Sequence, residues 1–274
     1  MTEELIQKAR MLEEEDKLEE ALEIYTRIER EAERAGKIEL ASQIYIEKGL
    51  ILTRIGRHEE AAELFRKALE NYEKLGDESG IADSAYNLCI ALSNLGEYEA
   101  AIENGERALH IYKKQKTPEY VADTTYALGL AYLEGEQTEK GVELLNEALK
   151  EYKKLKNEEG EASVLLDLGN AQLDLEDLDK ALEYYKKALK KFERMNDRVS
   201  YADTLVCMAE VLEEREEPVK AADNYLKAVQ VYVEENLKET AEDYIKRVEN
   251  MLWDLPKSSR RRIRKLVDEL KNNI

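Results

Sequence analysis

The chain has 274 residues, of which 38% are charged, and a formal net charge of −19 at neutral pH. This acidity argues against nucleic acid as a general partner and favours partners with basic surfaces. No stretch approaches the roughly 20 apolar residues needed to span a bilayer. The first residues have neither the basic segment nor the apolar run of a signal peptide. We therefore expect a soluble, cytoplasmic protein.

The sequence repeats with a period of 40 residues, without insertion or deletion. A small residue marks the same place in six copies: Ala21, Ala61, Ala101, Gly141, Ala181 and Ala221. Units that repeat in this way stack on one another, because each buries its apolar face only against its neighbours. The repeat predicts one continuous array.

Each unit contains two helical patterns separated by a short polar turn. The predicted helices cover residues 3–15, 18–35, 38–55, 58–75, 78–95, 98–115, 118–134, 138–155, 158–175, 178–195, 198–215, 218–235 and 238–254. Bulky aromatic residues recur on the second helices at Tyr72, Tyr112, Tyr152, Phe192 and Tyr232. Because they follow the period, we interpret them as packing residues.

The ends of the units recur in one register. Glycine, asparagine or lysine stands where each unit ends: Gly36, Gly76, Lys116, Lys156, Asn196 and Asn236. Glycine and asparagine tolerate the left-handed conformation that ends a helix. The next helix is predicted to begin at an N-cap residue in four units: Asp77, Thr117, Asn157 and Asp197.

The unit built on Leu168-Gly169, Ala181, Tyr185 and Ala188 resembles the tetratricopeptide repeat. The resemblance covers residues 2 to about 254. The leading tryptophan and closing proline of the family pattern are missing, and the period of 40 residues resembles the extended-helix subgroup. The resemblance implies an all-α, right-handed α-solenoid of antiparallel helix pairs. Residues 1–256 are expected to form six pairs and one extra helix.

The last segment, residues 257–274, departs from the repeat. Ile263, Leu266, Val267 and Leu270 form one amphipathic stripe. A helix with such a stripe suits the exposed end of a solenoid, which needs a cap. We therefore predict a basic amphipathic capping helix over residues 257–274.

The resemblance implies that the first helix of each pair lines a groove that binds other proteins. Its candidate contact residues are Asp83, Tyr86, Ile90, Asp123, Tyr126, Leu130, Asn170 and Asp203. An apolar strip flanked by carboxylates suits a peptide or amphipathic helix that carries basic and aliphatic side chains. The alternative is that the aspartates are simply solvated and that the apolar residues belong to the core between helices.

A basic cluster in the last segment is a second candidate contact: Arg260, Arg261, Arg262, Arg264 and Lys265. Residues 257–274 hold seven basic and two acidic side chains, a net charge of +5. Basic residues at a helix start oppose the helix dipole. Either an anionic partner offsets this cost, such as nucleic acid or a lipid headgroup, or the cluster forms ion pairs within the chain.

Enzyme chemistry has no basis in the sequence. It contains no glycine-rich phosphate loop, no Ser/His/Asp or Cys/His set and no HExxH motif. Cys89 and Cys207 lie about three units apart, too far for a disulfide within one chain, and with two histidines they make no metal-ligand cluster. We expect neither catalysis, nor a cofactor, nor a metal.

The leading hypothesis is a non-enzymatic scaffold or adaptor that binds another protein in its groove. A second is a regulatory adaptor that acts through its ends. Such a protein could be a cofactor of an AAA ATPase, or associated with nucleic acid through the basic helix. A third is a self-assembling, homo-oligomeric structural protein.

Overall fold

The computed structural model describes residues 2–273, which form fourteen α-helices and no strand. The helices are α1 Thr2–Glu14, α2 Leu18–Arg34, α3 Ile38–Arg54, α4 His58–Leu75, α5 Glu78–Asn94, α6 Tyr98–Gln115, α7 Pro118–Glu134, α8 Thr138–Leu155, α9 Glu158–Asp174, α10 Leu178–Met195, α11 Arg198–Glu214, α12 Pro218–Glu234, α13 Lys238–Met251 and α14 Lys257–Lys271. The predicted bounds of α1 to α12 are confirmed to within one residue at each end. Helix α13 ends three residues earlier than predicted, before a turn that leads into Pro256.

Left-handed residues end the first twelve helices at a spacing of 20 residues. They are Asp16, Gly36, Gly56, Gly76, Gly96, Lys116, Glu136, Lys156, Glu176, Asn196, Glu216 and Asn236, all with φ between 56° and 76°. The amide that follows then donates back into the helix, as Asp77 does to the carbonyl of Tyr72 at 3.1 Å. The predicted end of each unit is confirmed, including the two lysines.

All four predicted residues stand at the N-cap of the next helix, and three of them also cap it with their side chain. The side chains of Asp77, Asn157 and Asp197 accept hydrogen bonds from amides in the first turn of the helix that follows. Thr117 stands at the N-cap of α7, but its side chain makes no hydrogen bond to the first turn of that helix. Its hydroxyl lies 3.3 Å from the carbonyl of Tyr112 and donates to it, so it satisfies the end of α6 and leaves the start of α7 uncapped by a side chain.

The chain divides into two compact units, Met1–Glu151 and Tyr152–Ile274. In the first unit, consecutive helices from α1 to α7 pack against each other across short turns, which makes them antiparallel. Close approach requires small residues. A Cβ added at Gly49 on α3 would lie 2.5 Å from the ring of Phe65 on α4.

The second unit repeats this packing from α9 to α13. A Cβ added at Gly169 on α9 would lie 2.4 Å from the ring of Tyr185 on α10. Helix α14 packs on α12 and α13 and buries Ile263 and Val267 against them. The amphipathic stripe therefore faces the core of the second unit, as predicted. The division into an array of residues 1–256 and a separate cap remains a prediction.

The predicted all-α class and the repeat of antiparallel helix pairs are confirmed. Between residues 2 and 273, no helix combines the length and the apolar character required to cross a membrane.

Candidate functional site

Three contacts join first helices of successive pairs directly. In the first unit α3 contacts α5, and α5 contacts α7; in the second unit α9 contacts α11. The same repeat positions on these helices therefore lie side by side. We call this surface the first-helix face, formed by α3, α5 and α7 in the first unit and by α9 and α11 in the second.

Six of the eight predicted groove residues lie on α5 and α7, and thus in the first unit. Tyr86, Ile90, Tyr126 and Leu130 are all half-buried. Tyr86 packs against the buried Ala82 and Tyr112. Burial raises the pKa of Tyr86 to about 12, and the charge of Asp123 adds to the shift, so its hydroxyl stays protonated at neutral pH. The four side chains are partly core and partly open surface.

Asp83 on α5 has a partner within its own helix pair. The hydroxyl of Tyr112 on α6 lies 2.6 Å from Oδ1 of Asp83 and donates to it. Burial raises the pKa of Asp83, although the hydrogen bond from Tyr112 opposes that shift. This role for an aspartate of the predicted groove was not anticipated from the sequence.

The second unit repeats the arrangement, because the hydroxyl of Tyr232 on α12 donates to Asp203 on α11. Asp123 and Tyr126 of the first unit also interact with other residues of the chain. The sequence did contain a signal for this pairing. Where the aspartate position holds Ser163, the aromatic position holds Phe192, which has no hydroxyl to donate.

Asn170 on α9 is also engaged. Its carbonyl oxygen accepts a hydrogen bond of 2.7 Å from the hydroxyl of Tyr185 on α10. Its amide nitrogen lies 3.3 Å from Oδ1 of Asp167 and donates to it. The predicted groove set thus falls into two groups, six residues on α5 and α7 and two on α9 and α11.

The basic cluster is not a single contact surface. Arg260 donates to the carbonyls of Trp253 and Leu255, both at 2.9 Å, and its guanidinium carbon lies 5.8 Å from the centroid of the Trp253 ring. Arg262 forms an ion pair of 2.8 Å with Asp223 on α12. These two arginines hold α14 and the preceding turn in place. Their contact with an anionic partner stays a prediction.

The remaining cations differ in environment. Lys265 pairs with Glu269 one turn along α14, at 3.2 Å. Arg261 and Arg264 are exposed and have no ion pair within residues 2–273. Lys257, which the predicted cluster omitted, is also exposed, and its spacing of four and seven residues from the two arginines puts it on the same side of the helix.

The two thiols lack the environment of a nucleophile. Cys89 is buried and Cys207 half-buried, and burial raises the pKa of each to about 12. Both are therefore protonated at neutral pH, whereas a reactive cysteine needs its thiolate.

Solved structures with the same fold share little sequence identity with this chain. BtubC (BKLC) from P. vanneervenii is 22% identical with a TM-score of 0.67, over 80% of this chain and 92% of that one. The apo form of RapI is 15% identical with a TM-score of 0.69, over 96% and 99%. A Rap protein complexed with competence and sporulation factor is 14% identical with a TM-score of 0.64, over 97% and 75%. Identities this low establish the fold alone. No curated protein matches the sequence.

The sequence also matches a family defined as the tetratricopeptide repeat, over residues 40–114 and 120–194. The two matched segments together make up more than half of the 274 residues. Each runs through two helix pairs, α3 to α6 and α7 to α10. The resemblance read from the repeat is thereby confirmed, and the chain belongs to the tetratricopeptide-repeat family.

Proposed function

We propose that this chain is a non-enzymatic, cytoplasmic scaffold or adaptor whose first-helix face binds a peptide or an amphipathic helix of another protein. One observation carries the proposal. Tyr86 and Ile90 on α5, with Tyr126 and Leu130 on α7, are large side chains left half-buried on two helices that touch. An occupant that covers their open sides would gain about 25 cal/mol for each Å² of apolar surface removed from water.

Two further features fit this proposal. The net charge of −19 favours an occupant that brings basic side chains to the rim of the apolar strip. A similar solved structure, the Rap protein, is complexed with competence and sporulation factor, so an array of this fold can hold a partner.

The test uses dodecapeptides selected from a random phage-displayed library on the intact chain. Binding of the selected peptides is measured by fluorescence anisotropy for the wild type and for the Ile90→Glu/Leu130→Glu double variant. We expect the affinity to fall at least about tenfold, because two carboxylates enter the apolar strip. The control is Leu237→Glu, at a residue 37% exposed in the turn before α13.

Circular dichroism keeps the comparison interpretable, since both proteins must retain the helical content of the wild type. If the double variant is folded and binds the peptides as tightly as the control does, the first-helix face of the first unit is not the binding surface. Failure to select any peptide would also count against the proposal.

A second candidate function is supported by the exposed side of α14. Arg261 and Arg264 lack partners within residues 2–273, and Trp253 nearby in sequence is 75% exposed. An adaptor could use this basic end to contact an anionic partner. The Arg261→Gln/Arg264→Gln variant would then lose binding to a heparin column at low salt, whereas Lys8→Gln, an exposed cation on α1, would not.

A further inference from the structure

Three aliphatic side chains occupy one repeat position on the first helices of the first unit: Leu50 on α3, Ile90 on α5 and Leu130 on α7. Leu50 is 39% exposed, and the other two are half-buried. The contacts of α5 with α3 and with α7 bring Cα atoms to within 8 Å of each other. We call the three side chains the aliphatic row. They form a line of partly open apolar surface across three neighbouring helices.

The aliphatic row is not a requirement of helix packing. The same repeat position on α1 holds the exposed Arg10, which pairs with Glu47 on α3 at 2.8 Å. In the second unit this position holds Asn170 on α9 and Glu210 on α11. The fold thus accepts an amide or a charged group at this position. The three apolar residues of the first unit therefore call for another explanation.

A second row of apolar residues runs beside the first. Ile46, Tyr86 and Tyr126 precede the members of the aliphatic row by four residues on the same three helices, and all of them are half-buried. Side chains four residues apart on a helix are neighbours, with Cβ atoms about 5–6 Å apart. We call these residues the tyrosine row. The face therefore presents two parallel rows of three apolar side chains each.

The step along each row follows from the spacing of the helices. Neighbouring helices lie about 8–10 Å apart, so successive members of a row are separated by about 10 Å. In an α-helix, residues i and i+7 lie on the same side and about 10.5 Å apart along the axis. Residues i+4 and i+11 form a second column with the same step. The two apolar columns of an amphipathic helix therefore match the two rows.

Other peptide conformations match the rows less well. In a β-strand, side chains on one side recur every second residue, about 6.6–6.8 Å apart, which is short of the step of the rows. A polyproline II helix advances about 9 Å per turn, which is close to this step. It presents only one residue per turn to a surface, however, so it can follow one row but does not fill both.

We infer that the first-helix face of the first unit receives an amphipathic α-helix that lies across α3, α5 and α7. Apolar residues seven positions apart in this helix contact successive members of the aliphatic row, and the residues between them contact the tyrosine row. The inference rests on the proposed function and selects one of its two kinds of occupant, the helix over an extended peptide.

The experiment is a set of double-mutant cycles with the dodecapeptides selected on the wild-type chain. A helical dodecapeptide is about 18 Å long, enough to contact two successive members of a row. Each apolar peptide residue is replaced in turn by alanine. Affinities for the wild type, Leu50→Ala, Ile90→Ala and Leu130→Ala are measured by isothermal titration calorimetry. The control is Leu175→Ala, at a residue 47% exposed at the end of α9, and circular dichroism verifies that every variant is folded.

We expect one peptide residue whose replacement weakens binding to the wild type about tenfold and weakens binding to Ile90→Ala less than about twofold. A second peptide residue, seven positions away, should show the same relation to Leu50→Ala or to Leu130→Ala. The Leu175→Ala control should retain the full tenfold effect of both. In a carbon-13-labelled peptide, the Cα chemical shifts between these two residues should become helical on binding.

Three results would overturn the inference while peptide binding itself stands. They are coupled peptide residues only two or three positions apart, Cα shifts of an extended chain in the bound peptide, and peptide residues that couple to no member of the aliphatic row. If the library yields no binder, the proposed function fails and the inference fails with it.

Discussion

The hydroxyl of Tyr112 donates a 2.6 Å hydrogen bond to the carboxylate of Asp83, joining the two helices of one repeat pair. Tyr232 and Asp203 form the same contact three repeat periods further along the chain, with the same separation of 29 residues in the sequence. Charge alone would assign Asp83 and Asp203 to a binding surface. Their hydrogen bonds show that they are also part of the packing between helices.

Loss of this hydroxyl should destabilise the chain. In Tyr112→Phe the half-buried Asp83 loses its donor, and we expect the free energy of unfolding to fall by about 1–2 kcal/mol. The measurement is urea unfolding followed by circular dichroism. Tyr120→Phe is the control, because that residue is 50% exposed and stacks on Tyr112 through its ring. Equal stability of the two variants would contradict the structural role of the hydrogen bond.

The half-buried Glu210 makes stability depend on pH. Its pKa is raised in the folded chain, so the native state holds this proton more tightly than the unfolded state does. The favourable contribution of the protonated carboxyl is complete below the unfolded pKa of about 4.3 and is lost as the pH rises through the folded pKa. Glu210→Gln should therefore be more stable than the wild type at neutral pH.

Urea unfolding across a pH series tests this, with Glu99→Gln on α6 as the exposed control. The stability gained in Glu210→Gln should shrink as the pH falls toward about 4. A difference that stays constant over the whole series would show that Glu210 is not desolvated in the folded chain.

Gly49 is required by close packing of α3 on α4. A Cβ at this position would lie 2.5 Å from the Phe65 ring, so Gly49→Ala should lower the free energy of unfolding by about 1–3 kcal/mol. The Gly49→Ala/Phe65→Leu double variant provides the check, because the smaller side chain makes room. The double variant should lose less free energy of unfolding than the two single variants lose together. Losses that simply add would argue against the contact.

The arginines of α14 should separate into structural and dispensable residues. Arg260→Gln removes two hydrogen bonds to the carbonyls of Trp253 and Leu255, and we expect a loss of about 1–3 kcal/mol together with a change in Trp253 fluorescence. Arg264→Gln, on the exposed side of the same helix, should leave both unchanged. Identical behaviour of the two variants would refute this separation.

The helices were predictable because their boundaries repeat. Left-handed positions recur every 20 residues, and even Lys116 and Lys156 adopt the conformation that glycine or asparagine provides in other units. Periodicity averages over several copies, so a weak signal at one helix end is supported by stronger signals at the others. The end of α13 was misjudged because the repeat stops there.

The side-chain contacts of the candidate site were harder to predict from the sequence. Charge and spacing place Asp83 and Asn170 on the first helices, but they do not show that Tyr112 and Tyr185 reach across from the second helices. The partners of Arg260 are backbone carbonyls of an irregular turn, which a sequence pattern does not encode. The paired exchange at Ser163 and Phe192 was the one available clue.

Photo-crosslinking tests most directly whether the first-helix face binds a partner. The photoreactive residue p-benzoylphenylalanine is introduced in place of Ile90 on α5, and in a second protein in place of Leu237, and each protein is irradiated with a selected dodecapeptide. We predict a covalent peptide adduct at position 90 that excess unlabelled peptide abolishes, and none at position 237. An adduct at position 237 with none at position 90 would contradict the account.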